Sequence, residues 1–176
     1  MKKLLITLLL LFSLIGCGQK AKYIEIETYP VDMSLYRNMT STGHHFIGAS
    51  VEEINRVFDE EGSGVFYIGN SFCPTCNKMV YIMEEAAKAN DTTIYYLDTI
   101  ASGYTLEDPP IVELIGNLSD VLLTDERGFK TLNTPHVFVL KNGEIVGSEI
   151  GKIEAGNEDF VEHATKVYSQ IFKKLK

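Results

Sequence analysis

Apolar residues along this chain change their spacing several times, and each change marks an element. From Ser50, Val51, Ile54, Val57 and Phe58 share one helical face, and Ser50 with Glu53 forms a capping box at its start. Glu60-Glu61-Gly62-Ser63-Gly64 ends that helix. Val65-Phe66-Tyr67-Ile68 and Thr93-Ile94-Tyr95-Tyr96-Leu97 are nearly continuous runs of β-branched and aromatic residues, as expected of strands covered on both faces. A helical pattern from about Pro74 to Ala89 lies between them, so the three segments make a βαβ unit with parallel strands.

The stretch from Asp98 to Asn133 is longer than a simple crossover. Ile111, Val112, Leu114, Ile115, Leu118, Val121 and Leu122 recur at helical spacing behind Pro109-Pro110, so a helical insertion is expected within about 99–133. Thr134-Pro135 then precedes the run His136-Val137-Phe138-Val139-Leu140. Lys141-Asn142-Gly143-Glu144 and Ile145 to Ile150 complete a hairpin with Asn-Gly turn chemistry. A last helix, from about Glu158 to Lys174, is expected to bury Phe160, Val161, Val167, Ile171 and Phe172.

The first sixteen residues have a different character. Lys2 and Lys3 precede a short apolar stretch, Leu4 to Ile15, too brief for a membrane span of roughly 20 residues but suited to an export signal. Leu14-Ile15-Gly16-Cys17 resembles the lipobox of bacterial lipoproteins. That resemblance implies cleavage after Gly16 and a diacylglyceryl group on Cys17; the other reading is an uncleaved anchor, and both put the body outside the cytoplasm. The expected division is a signal peptide at 1–16, a lipidated N-terminus and tether at 17–42, and the main domain at 43–176. The tether reading competes with an edge strand in the alternating segment Tyr23-Ile24-Glu25-Ile26-Glu27.

Charge narrows the partners. The chain of 176 residues has a formal net charge of −8, and losing Lys2 and Lys3 with the leader leaves 14 basic against 24 acidic side chains. That balance argues against nucleic acid and against a polybasic grip on anionic lipid. With Cys17 assigned to lipid, the remaining cysteines are Cys73 and Cys76, so no framework of structural disulfides exists.

Those two cysteines carry the chemistry. Phe72-Cys73-Pro74-Thr75-Cys76 follows a strand and opens a helix, where unpaired N–H groups and the positive end of the helix dipole favour thiolate over thiol. Cys73 is the candidate nucleophile. Cys76, one turn on, is placed to attack a mixed disulfide formed at Cys73. Pro74 removes an N–H the helix would not use, and Thr75 adds a hydroxyl near the sulfurs. The competing readings are a structural disulfide or half a zinc site, although zinc needs about four ligands and no second Cys-x-x-Cys exists. His44-His45 could hold metal or be solvated in a polar loop, and His163 reads as surface decoration. No metal and no cofactor is required.

The order of elements, with this motif, the Thr134-Pro135 step and the Lys141-Asn142-Gly143 turn followed by Gly151, resembles the thioredoxin fold from about Ser50 to Lys176. The resemblance implies an α/β fold, a central mixed sheet flanked by helices. It also implies a cis bond before Pro135, with Phe72, Pro74, Thr75, Thr134 and Pro135 forming a platform for an extended substrate chain. Tyr67-Ile68-Gly69, the inserted helix and the lipobox are similar to bacteriocin transport accessory proteins. Cys-Pro-Thr-Cys also occurs in membrane-tethered thioredoxin-like proteins of cytochrome c maturation.

One departure matters. Tyr67 stands where thioredoxins carry a buried Asp that accepts the proton of the second cysteine, and Phe72 replaces the flanking tryptophan. Without that acid the proton of Cys76 goes to water or to another group, for which Glu60, Glu61, Asp98 and His136 are the candidates. The expected function is thiol–disulfide exchange by a lipid-anchored protein on the outer face of a bacterial membrane, acting on disulfide-containing proteins and recharged by a membrane redox partner. The alternative is a lipid-anchored accessory or binding module, for example in peptide or bacteriocin export, in which redox activity is secondary.

Overall fold

Alternation along the central strands decides the layering. The computed structural model describes residues 19–154 and 159–176. Its strands are β1 (Thr28–Tyr29), β2 (Phe46–Ala49), β3 (Gly64–Gly69), β4 (Ile94–Asp98), β5 (Leu123–Thr124), β6 (Lys130–Thr131), β7 (His136–Lys141) and β8 (Glu144–Ile150). The helices are α1 (Val51–Asp59), α2 (Pro74–Asn90), α3 (Pro109–Asn117) and α4 (Phe160–Phe172). Six strands form one mixed sheet in the order β1-β2-β4-β3-β7-β8, and β5 pairs β6 in a separate ribbon.

β3 runs parallel to β4 and antiparallel to β7, and it is buried along its whole length. Successive side chains leave a strand on opposite faces. Val65, Tyr67, Tyr96, Val137 and Val139 therefore pack with α2 and α4, while Phe66, Ile68, Leu97, Phe138 and Leu140 pack with α1 and α3. The βαβ unit and the hairpin agree with the sequence pattern. The hairpin turn has Asn142 and Gly143 both at positive φ, 55° and 79°, as a two-residue turn of this hand requires.

Several expectations change. The Ser50 hydroxyl accepts the Glu53 N–H at 3.2 Å, but the Glu53 carboxylate binds Arg56 and the Glu27 N–H instead of returning to Ser50, so the capping box is half formed. The helix inside 99–133 stops at Asn117; Leu118 and Leu122 are buried beyond it, and the β5–β6 ribbon follows. Two-residue strands carry too little pattern to be read in advance. α4 begins at Phe160, capped by the Asp159 carboxylate, and leaves Val161 exposed.

Residues 19–42 are docked, not free. Met33 and Tyr36 are buried in the α2/α4 layer, and Asn142 accepts the Lys22 N–H at 2.7 Å and donates to the Lys20 carbonyl at 3.2 Å. The strand here is Thr28–Tyr29, paired with β2, and not the alternating run before it. The folded unit thus extends well upstream of residue 43. The expected leader at 1–16 and the expected lipidation site Cys17 lie outside the described residues. Among the described residues no helix is long and apolar enough to cross a membrane.

Candidate active site

β3 delivers the chain to the dithiol through a loop held by one asparagine. Asn70 Oδ1 accepts the N–H groups of Phe72 and Cys73 at 3.1 and 3.0 Å, and its Nδ2 donates to Thr99 Oγ1 at 2.9 Å, tying the ends of β3 and β4 together. An Asx-type turn of this kind is local chemistry that the Asn-x-Phe spacing contains, and sequence reasoning passed over it. Asn77 fixes the other side by donating to the Ser71 and Cys73 carbonyls.

Cys73 is the N-cap residue of α2, with extended backbone angles, and Pro74 follows at the first helical position. The Cys73 sulfur accepts the Cys76 N–H at 3.1 Å, and its own S–H points to the Thr134 carbonyl at 3.7 Å. A side chain that caps a helix at its positive end is where a negative charge is best held. The two thiols are unbridged, Cys73 half-buried and Cys76 buried behind it.

Their environments separate them. Burial is the largest influence on Cys73 and opposes its charge, yet interactions with Cys76, the Thr134 side chain and the Thr75 N–H together bring its pKa below the ordinary thiol value. Burial, reinforced by the neighbouring Cys73 sulfur, pushes Cys76 up to about 11. One thiol is primed and accessible; the other is held protonated in reserve.

The Thr134-Pro135 bond is cis, and the Gly151 N–H donates to the Pro135 carbonyl at 2.8 Å, anchoring this loop to the end of β8. Phe72 is 78% exposed and Pro74 is exposed, so the rim of the dithiol is apolar. Beside it opens a cavity of about 350 Å³ lined by Asn70, Thr99, Tyr104, Leu106, Leu132 and Thr134. The structure thus gathers Phe72, Cys73, Pro74, Thr75, Cys76, Thr134 and Pro135 at one end of the sheet.

The four candidate acceptors separate cleanly. Glu60 and Glu61 precede β3 and sit at the opposite end of the strand from the dithiol, beside Arg56 and the Gly143 turn. His136 lies on the other face of the sheet, against Phe138, with Nε2 bonded to Ser148 Oγ at 2.8 Å. Asp98 alone shares both the end and the face: it pairs with Gly69 in the register, and its Oδ2 accepts the Tyr96 hydroxyl at 2.8 Å. Tyr67 occupies the position facing Cys76, its hydroxyl lying over Gly69, where any Cβ would overlap it.

Burial draws the His136 pKa down to about 4, against an unfolded value of about 6.5. The native state therefore binds fewer protons than the unfolded chain between those values. The stability held above pH 6.5 is expected to decline as pH falls through that window, levelling below pH 4 after a loss on the order of 3 kcal/mol. Urea unfolding at several pH values should show that slope in the wild type and a flatter one in His136→Gln.

The adjacent histidines are not a solvated pair. His45 Nδ1 meets Glu84 Oε1 at 2.8 Å, and His44 packs edge-on against Phe46. Among the described residues no three His, Cys, Asp or Glu side chains gather as a metal site would require.

The strand order, the dithiol at the start of α2 and the proline loop facing it make this a thioredoxin-like α/β fold. No family model matches the chain, and no curated protein sequence matches it. Among solved structures it is similar to thioredoxin O2 from Arabidopsis thaliana in the oxidised state, at 18% identity and a TM-score of 0.45, covering 73% of this chain and 96% of that one. It is also similar to the thioredoxin of Malassezia sympodialis, at 14% identity and a TM-score of 0.44, covering 77% and 96% of the two chains. A third similar structure is the thioredoxin of Aeropyrum pernix, at 18% identity and a TM-score of 0.38, covering 73% and 86%.

Proposed function

We propose that the protein is a thiol–disulfide oxidoreductase, held by a lipid on Cys17 at the outer face of a bacterial membrane and acting on disulfides of exported or membrane proteins. The observation that carries the redox reading is the split between the two thiols: Cys73 caps α2 beside the Thr134 carbonyl, and Cys76 is buried behind it. The Cys73 thiolate attacks one sulfur of a substrate disulfide; that S–S bond breaks, and the departing sulfur takes a proton. Cys76 then loses its proton and attacks the Cys73 sulfur, releasing the second substrate thiol. Two electrons and two protons have passed to the substrate, and the protein leaves as the Cys73–Cys76 disulfide, which a membrane dithiol must reduce. The reverse sequence runs when the substrate is the reductant. The exposed Phe72 and the Thr134 loop support binding of an extended chain across the dithiol by strand-like pairing.

Alkylation tests the assignment directly. Iodoacetamide should label Cys73 with a half-maximal rate at a pH below that of an ordinary thiol, because only thiolate reacts and its pKa is lowered; Cys76 should stay unlabelled at neutral pH. Equal labelling of both, or none of either, would remove the basis of the reading. Membership in an export apparatus as a binding module, the other assignment, predicts that a Cys73→Ser, Cys76→Ser double variant still supports the host function.

A further inference from the structure

Four aromatic hydroxyl and carboxylate groups link the buried thiol to the surface. Tyr96 donates its hydroxyl to Asp98 Oδ2 at 2.8 Å, and the Tyr36 and Tyr96 hydroxyls are 2.7 Å apart. A carboxylate has no proton to give, so the Tyr96 proton is committed to Asp98, and the bond between the tyrosines can only run from Tyr36 to Tyr96. The Tyr36 oxygen is thereby left as an acceptor. Tyr67 stacks on Tyr96 with ring centres 5.1 Å apart, and its hydroxyl is buried without a hydrogen-bond partner. Tyr36 and Cys76 are the polar neighbours whose charge acts on that hydroxyl, and all three belong to one buried cluster. A buried, unpartnered phenol in one cluster with a thiol and an oriented chain of hydroxyls calls for an explanation.

We infer that Tyr67, Tyr36 and Tyr96 form a proton path between Cys76 and Asp98, doing by relay what a buried carboxylate beside the second thiol would do directly. This deepens the redox reading and rests on it. As the Cys76 sulfur gives an electron pair to Cys73, its S–H becomes acidic. The Tyr67 hydroxyl, unbonded at rest, takes up hydrogen bonds to Cys76 and Tyr36 in this step; the proton passes to the Tyr67 oxygen, the Tyr67 proton to Tyr36, that of Tyr36 to Tyr96, and that of Tyr96 to Asp98. Asp98, half-buried at the end of β4 beside exposed Ile100, passes a proton to water. The mixed disulfide breaks with its electron pair on the substrate sulfur, which is protonated from solvent. Tyr36 comes from the N-terminal segment, so the docking of residues 19–42 completes the site. The other titratable groups around the thiol are Cys73, Tyr168 of α4 and, beyond Tyr168, Glu149 of β8. Glu149 is the rival carboxylate.

The test separates the two steps of exchange in the intact dithiol protein. Mixed-disulfide formation and its resolution are followed by stopped flow with a small activated disulfide from pH 6 to 9, for wild type, Tyr67→Phe, Tyr36→Phe, Asp98→Asn and Glu149→Gln. Tyr67→Phe removes one oxygen and keeps the ring stack. The expected result is unchanged Cys73 alkylation and first-step rate, with resolution at pH 7 slowed on the order of 10²-fold and rising about tenfold per pH unit as hydroxide takes over. Tyr36→Phe and Asp98→Asn should show the same altered pH profile, and Tyr67→Phe combined with Asp98→Asn should be no slower than Tyr67→Phe alone, since a path is broken only once. Glu149→Gln should behave as wild type. Resolution that keeps the wild-type pH profile in Tyr67→Phe, losses that add in the double variant, or a defect confined to Glu149→Gln would overturn the relay while leaving the redox reading in place. Failure of wild-type Cys73 to form a mixed disulfide would end both.

Discussion

Cys73→Ser is expected to bring catalysed disulfide exchange down to the rate of the added reductant alone, a loss on the order of 10³-fold or more in an insulin-reduction assay. A serine hydroxyl retains the cap geometry but is not ionised at neutral pH, so the helix start still forms and the nucleophile is gone. Cys76→Ser should differ in kind. Cys73 still attacks, since its own surroundings persist, but the covalent complex has no internal thiol to resolve it and accumulates until an external thiol arrives. Its appearance on a non-reducing gel, one to one with substrate and reversible by dithiothreitol, identifies Cys73 as the attacking sulfur. Normal insulin reduction by Cys73→Ser would overturn the assignment of both roles. The potential of the couple then sets direction, with a value near that of thioredoxin, about −270 mV, favouring reduction and one near −120 mV favouring disulfide introduction.

The largest effect on stability is expected at Phe138, on the face of the sheet away from the dithiol. Its ring is fully buried, stacked on Phe66 with centres 5.2 Å apart and on Phe58 at 6.2 Å, and it touches His136. Phe138→Ala removes a ring whose stacking partners, Phe66 of β3 and Phe58 of α1, are fixed in their own elements and cannot close over the gap. A loss of about 3–5 kcal/mol is expected from urea unfolding, a large part of the ~5–15 kcal/mol that a domain of this size holds. While the variant stays folded, Cys73 alkylation should keep its pH profile, because the sheet separates the two layers. A loss below about 1 kcal/mol would mean that this layer is not the core the packing describes.

Asn142-Gly143 illustrates what short-range chemistry makes legible: two residues at positive φ are asked for by the turn, and the sequence supplies the two types that adopt it most readily. The Cys-Pro-Thr-Cys helix start and the doubly covered strands are legible for the same reason, since helix ends and strand burial impose residue types at fixed spacings. The N-terminal segment shows the limit. Met33 and Tyr36 sit in an irregular stretch, so no period announces that they are buried, and only packing against α2 and β4 makes them core. The acceptor search shows it again. Glu60, Glu61, Asp98 and His136 are equal as letters, but alternation along β7 puts His136 on the wrong face, and strand direction puts the two glutamates at the wrong end.

By itself, then, the order of residues settled the parallel βαβ core, the hairpin and the place of the cysteine pair at a helix start, because each depends on neighbours a few positions apart. Which candidate carboxylate lies at the dithiol end of the sheet, where Tyr67 points, and whether the N-terminal segment stands free or packs on the fold were decided by the folded chain. The docking of the N-terminal segment joins residues as far apart as Tyr36 and Tyr96 or Lys22 and Asn142, and only sheet register and packing bring such groups within bonding distance.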